Sequence, residues 1–189
     1  MVVQILQNNL GPDPAQELAK VTGEWTIRFL LLALALTPLR HLTGITQFVR
    51  HRRMLGLFAL FYATIHLLVW MSFLLAFRWL AIGEELIERP YITVGFVAIL
   101  ILAALAITSP NRVRRKLGGH WQKLHNLIYP ASLLIALHFN WSVKSLDPEP
   151  LLYWLGLLLL LCFRSDKLKN TLRRRGKRQR QRHSARKAI

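Results

Sequence analysis

Three of the chain's seven histidines stand inside strongly apolar stretches: His66, His125 and His138. An ionisable side chain within a membrane span costs roughly 2 kcal/mol or more unless something pairs with it. A single such residue is usually satisfied by packing. Three, with no Asp or Glu in the surrounding apolar segments, need another explanation. A proton relay normally includes carboxylates. Neutral imidazole bound to iron needs none, so the inventory points to haem iron and electron transfer. His41, His51 and His183 lie in basic stretches and His120 at an interface, where none requires a special role.

The single cysteine, Cys162, excludes an internal disulfide, a cysteine-held iron–sulfur cluster and a cysteine-based zinc site. In its apolar surroundings it reads as a small hydrophobe. Hydrophobic residues make up 53% of the 189, yet the formal net charge is +17. The charges fall in blocks between apolar runs, as they do in membrane proteins. The basic balance therefore implies anionic lipid at a membrane surface rather than nucleic acid.

Five apolar segments must position the histidines. A covers Thr26 to Leu39 and extends back to Thr22 if Arg28 snorkels. B covers Met54 to Phe77, C Tyr91 to Thr108, D Trp121 to Val143, and E Leu151 to Phe163. A bilayer core of about 30 Å needs about 20 helical residues. B, C and D meet that length; A and E, at about 14 residues, do so only with their flanks. Arg40, Arg50, Arg52 and Arg53 lie between A and B, and Arg112, Arg114, Arg115 and Lys116 between C and D. The tail after E is also rich in Lys and Arg. The loops between B and C and between D and E are poorer in both. The positive-inside rule then gives five alternating spans with the C-terminus in the cytoplasm. The expected fold is an all-α polytopic membrane helix bundle. Residues 1–21 form a periplasmic lead-in, 22–164 the transmembrane haem domain and 165–189 a basic cytoplasmic tail.

On straight helices His66 lies about 18 Å along B, and His125 and His138 about 6 Å and 26 Å along D. D thus offers one histidine near each membrane face, a spacing suited to two stacked haems. Gly56, Ala59, Ala63, His66 and Trp70 share one stripe of B, which would serve either a flat macrocycle or a helix–helix seam. An unbroken D leaves His125 and His138 on nearly opposite faces. Pro130, between them, is the residue able to kink or re-phase the helix.

Several stretches resemble the MsrQ (YedZ) family of the ferric-reductase-like transmembrane group. They are RRMLGLFALFYATIHL around His66, ERPYITVG entering C, LGGHWQKLHNLIYP around His125 and LHFNWSVK around His138. GPDPAQELAKVTGEWTIRFLLLALALTPLR is similar to that family too, so the resemblance runs from Gly11 to about Lys169. Family members have six spans, and the first is expected to be missing before Gly11. The resemblance implies a bacterial inner-membrane subunit carrying one or two b-type haems. It would pass electrons from the quinone pool to MsrP, a periplasmic molybdenum-cofactor enzyme that repairs oxidised methionine. A bound FMN is associated with the family, although the residues themselves carry no flavin motif. Matching motifs make His66, His125 and His138 the haem-ligand candidates. The family pattern gives His66 and His138 to a periplasmic-side haem and His125 to a second, cytoplasmic-side haem. For that second haem His51 would serve only if B starts earlier; the alternative is that Arg52 or Arg53 pairs with a propionate instead.

Two other functions fit parts of the pattern. A freestanding ferric reductase or oxidase relative would usually need a fused flavin and nicotinamide domain, and the basic tail of about 25 residues is too short for one. A non-redox transporter or scaffold would use the histidines for packing or proton coupling.

Overall fold

The computed structural model describes residues 13–143 and 148–163. Among these the chain is helical, with no strand. The helices are α1 (Pro14–Thr43), α2 (Phe48–Val69), α3 (Trp79–Glu88), α4 (Pro90–Ile107), α5 (Asn111–Leu117), α6 (Gly119–His125), α7 (Ile128–Ser142) and α8 (Glu149–Phe163). A π-helical turn, Trp70–Leu74, prolongs α2. The basic tail, the first twelve residues, and Lys144 and Asp147 lie outside the described residues.

Segment A is longer than its apolar run suggests. The Asp13 side chain accepts from the backbone N–H groups of Ala15 and Gln16, and Pro14 fills the first helical position, where no N–H partner is needed. The helix starts there and runs for 30 residues through Pro38. It ends where Gly44 takes φ 76° and donates its N–H to the Arg40 carbonyl. This length corrects the expectation that the spans hold no carboxylate, because α1 carries Glu24 into the bundle, only 8% exposed.

D is not one helix. It breaks at Asn126–Leu127, so that α6 ends at His125 and α7 begins at Ile128. Pro130 sits in the first turn of α7, where its missing N–H costs nothing. The break separates the phase of His125 from that of His138.

Two helix pairs make the bundle. α1 packs along α2, and α4 along α7, while α2 against α4 and α1 against α7 join the pairs. α8 lies against them through Leu157, 1% exposed, and through the edge-on contact of Tyr153 with Phe139. The buried core is rich in small residues, including Ala59, Ala63, Ala98, Ala131 and Ala136, packed with Ile27, Leu30 and Leu102. Large apolar side chains such as Leu32, Leu68, Leu100 and Leu155 point outward. That inside-out distribution suits lipid as solvent, since small residues let helices approach while Leu faces the acyl chains. The stretches Arg50–Leu74 and Pro90–Ile107 are long and apolar enough to cross a membrane, and only 17% of the most apolar part of each is buried. The core helix of a soluble protein would be mostly buried. Ala59 and Ala63 are taken up in the seam with α1, so the small-residue stripe of B acts there as a helix–helix contact.

Candidate metal centre at one end of the bundle

α2 and α7 bring His66 and His138 together. Their ring centroids are 6.0 Å apart with the planes at 84°. Each ring is anchored by a neighbouring helix. His66 Nδ1 lies 2.8 Å from the Ala19 carbonyl of α1, and His138 Nδ1 lies 2.7 Å from the Tyr91 carbonyl of α4. A carbonyl only accepts, so both Nδ1 atoms carry the proton and donate it. Both Nε2 atoms are then left with a lone pair. Hydrogen bonding of one ring nitrogen to a carbonyl is the usual way a protein fixes the tautomer and orientation of a metal-binding histidine.

The two anchors are built alike. In each, the accepting carbonyl belongs to the residue one helical turn before a glycine, Gly23 after Ala19 and Gly95 after Tyr91. The glycine leaves a notch for the imidazole. A Cβ on Gly95 would sit 2.7 Å from His138 Nδ1, and one on Gly23 would sit 3.3 Å from His66 Nδ1. Donor and acceptor are 47 residues apart in the chain in both cases. The shift that carries His66 onto His138 also superposes Gly23 on Gly95, Ile27 on Ile99, Leu30 on Leu102, Pro38 on Pro110, Arg40 on Arg112 and Ala59 on Ala131. The α1–α2 and α4–α7 pairs each supply one imidazole, anchored in the same way. Sequence reasoning missed Ala19, Gly23, Tyr91 and Gly95. A search for the internal repeat would have found the two glycines, since each stands at the same distance before its histidine.

His125 is not brought to this pair. It ends α6 at the opposite end of the bundle, where its ring stacks on Trp121 at 4.0 Å. The guanidinium of Arg114 covers that tryptophan at 4.7 Å. The Thr108 hydroxyl donates to the Ala104 carbonyl at 2.7 Å and lies 3.2 Å from His125 Nε2. The Nε2 of His125 is thus engaged, whereas the other two histidines leave theirs free.

A polar cluster ties α1 to α8. Arg28 donates to Tyr153 Oη at 2.8 Å, to Glu24 at 2.9 Å and to Glu149 at 3.2 Å. Arg28 therefore neutralises two carboxylates rather than simply snorkelling. Among the described residues no three His, Cys, Asp or Glu side chains converge on a metal position.

Comparison with known proteins places this geometry in a family. Residues 22–136 match the model of the ferric reductase like transmembrane component. The chain is 50% identical over 169 residues to a protein of Xanthomonas oryzae pv. oryzae (strain MAFF 311018), covering 89% of this chain and 78% of that one. It is 53% identical over 152 residues to one of Xanthomonas euvesicatoria pv. vesicatoria (strain 85-10), covering 80% and 69%. It is 43% identical over 170 residues to one of Pectobacterium carotovorum subsp. carotovorum (strain PC1), covering 89% and 85%. All three relatives are named protein-methionine-sulfoxide reductase heme-binding subunit MsrQ. With a bundle of apolar helices, two anchored imidazoles and identities of this extent, the chain belongs to the MsrQ family of ferric-reductase-like transmembrane proteins.

Proposed function

We propose that this protein is the haem-bearing membrane subunit of a methionine sulfoxide reductase system. It passes electrons from quinol to a periplasmic MsrP-type molybdenum enzyme. The observation that carries the reading is the His66–His138 pair. These two residues would hold the iron of a haem through their free Nε2 atoms. Their ring centroids are 6.0 Å apart. A haem would bring its own ring nitrogens to the iron, so that two imidazoles would suffice from the chain.

When bound, a b-type haem supplies an iron that takes and gives one electron at a time. The chain's own residues do the rest. The Ala19 and Tyr91 carbonyls hold the Nδ1 protons, keep both Nε2 lone pairs available and raise the basicity of the ligands. The glycine notches let each imidazole approach its carbonyl. The apolar helices around the pair keep water from the site. A second haem at the other end would draw on His125, which must give up its Nε2 contact with Thr108 or bind through Nδ1. FMN enters this reading from the family alone.

We place the protein in the bacterial inner membrane with the His66–His138 end on the periplasmic side and the C-terminus in the cytoplasm. The supporting pattern is the run of arginines at the His125 end, Arg52, Arg53, Arg112, Arg114 and Arg115. Reporter fusions after Arg53 and Arg115 are expected to read cytoplasmic and a fusion at Glu85 periplasmic. Membranes lacking the chain are expected to lose quinol-driven reduction of methionine sulfoxide by MsrP while artificial dyes still drive it. Undiminished quinol-driven repair without the chain would overturn the assignment.

A further inference from the structure

α3 closes the same end of the bundle as the imidazole pair. Two consecutive non-glycine residues with positive φ, Ala76 at 48° and Phe77 at 54°, turn the chain out of α2 and into it. Such backbone is unfavourable for side-chain-bearing residues and persists only where the surroundings enforce it. α3 is then fixed to α4. The Thr93 hydroxyl bonds the Leu86 carbonyl, and Arg89 pairs with Glu85 at 3.0 Å. Half-buried Ala81, Ile82 and Leu86 take the inner side of the helix.

The outer side is unusual for a membrane protein. Leu80, Glu84, Ile87 and Glu88 fall within one arc of about 100° on a helix of 3.6 residues per turn. All four are exposed, Leu80 by 88% and Ile87 by 84%. Lipid is a poor occupant for this stripe. Sinking Leu80 and Ile87 into hydrocarbon would draw in the two carboxylates between and beside them, which is unfavourable for charged groups. Apolar anchors set among acidic groups suit a water-soluble protein whose apolar patch has a cationic rim. The charge fits as well. The chain is strongly basic overall at +17, yet eight of its nine acidic residues fall outside the basic tail, at positions other than the arginine-rich loops.

The stripe is also close to the chemistry. Glu88 is three residues before Tyr91, so their Cα atoms lie within about 11 Å. Tyr91 both accepts the His138 hydrogen bond and lays its ring 6.0 Å from the His138 ring. We propose that the outer stripe of α3, Leu80, Glu84, Ile87 and Glu88, is the docking surface for a soluble redox partner with a cationic rim, set over the His66–His138 site. This rests on the proposed electron-transfer function. Each encounter passes one electron to the oxidised partner, and no bond forms or breaks at the interface.

The test uses the full chain with haem in proteoliposomes, reduced by quinol and mixed with the purified soluble sulfoxide reductase. Haem reoxidation is followed against partner concentration at low and high salt. For Glu84→Lys/Glu88→Lys the second-order rate constant is expected to fall about tenfold or more at low salt, with the gap closing at high salt. The rate at saturating partner, the reduced spectrum and the rate of reduction by quinol should match wild type. Glu84→Asp/Glu88→Asp should keep the wild-type rate constant. In a Cys162→Ser background, Leu80→Cys should react with a membrane-impermeant maleimide and be protected by the partner. An unchanged rate constant in the lysine variant, with wild type reoxidised normally, would overturn the docking surface alone. A maleimide-inert Leu80→Cys would assign the stripe to lipid and overturn it too. A wild-type protein that the partner does not reoxidise would contradict the electron-transfer reading itself, and the docking surface with it.

Discussion

The two ends of the bundle hold histidines of similar sequence setting and opposite preparation. At one end His66 and His138 face each other from different helices, each with Nδ1 spent on a carbonyl and Nε2 left open. At the other, His125 rests under Trp121 with Nε2 engaged by Thr108. On the proposed reading, an imidazole in an apolar helix is only half of a metal ligand. The other half is an acceptor on a neighbouring helix that settles which nitrogen holds the proton. Intrahelical carbonyls already bonded along the helix supply it here, and a glycine one turn on makes them reachable.

The contrast can be broken at the glycines first. Gly95→Ala puts a methyl 2.7 Å from His138 Nδ1, so the ring must leave its carbonyl. Loss of such an outer-shell partner typically costs 10–100-fold in metal affinity, and haem retention in the purified variant is expected to fall by about that factor. Retention equal to wild type would mean that the Tyr91 carbonyl does not hold the ligand.

Arg28→Gln tests a part of the same half of the molecule that the histidines do not touch. It leaves Glu24 and Glu149 without their shared cation. A buried charged group left without its partner costs about 1–3 kcal/mol. Thermal unfolding in detergent should come earlier, while the haem spectrum before the transition stays unchanged. Gly23→Ala sharpens the comparison between the two notches. Its Cβ meets His66 Nδ1 at 3.3 Å, a contact relieved by a shift of a few tenths of an ångström, so haem retention should drop less than for Gly95→Ala. A larger loss at Gly23 would reverse the ranking. Thr108→Val should do least. It removes the partner of His125 Nε2 and leaves the signal from the His66–His138 haem unaltered in position and amplitude. A change in that signal would mean that the two ends are coupled.

Much of this could be read from the sequence. Period, length and the placement of arginines are enough for the apolar helices, and their position within apolar runs makes His66, His125 and His138 the candidates. The pairing of His66 with His138 rested on a family pattern, because depth along straight helices separates the alternatives by only a few ångströms. The break after Asn126 resolves the phase problem within D, and nothing in the local residues marks it more strongly than Pro130 four positions on. The start of α1 at Pro14 is legible in Asp13-Pro14, a cap followed by a first-turn proline, whereas the apolar run begins only at Thr26. Glu24 escaped for the same reason. The carbonyl anchors were invisible residue by residue, since any residue has a carbonyl. Only the repeated Gly–His spacing encodes them.

The central claim is that His66 and His138 hold one haem that His125 does not share. Reduced-minus-oxidised spectra and haem content of His66→Ala, His138→Ala and His125→Ala, each purified from membranes, address it directly. The first two variants are expected to lose the same absorption band. His125→Ala is expected to keep that band and to lose at most a different one. A His66→Ala protein with wild-type haem content and spectrum would contradict the account and leave His66 as a packing residue.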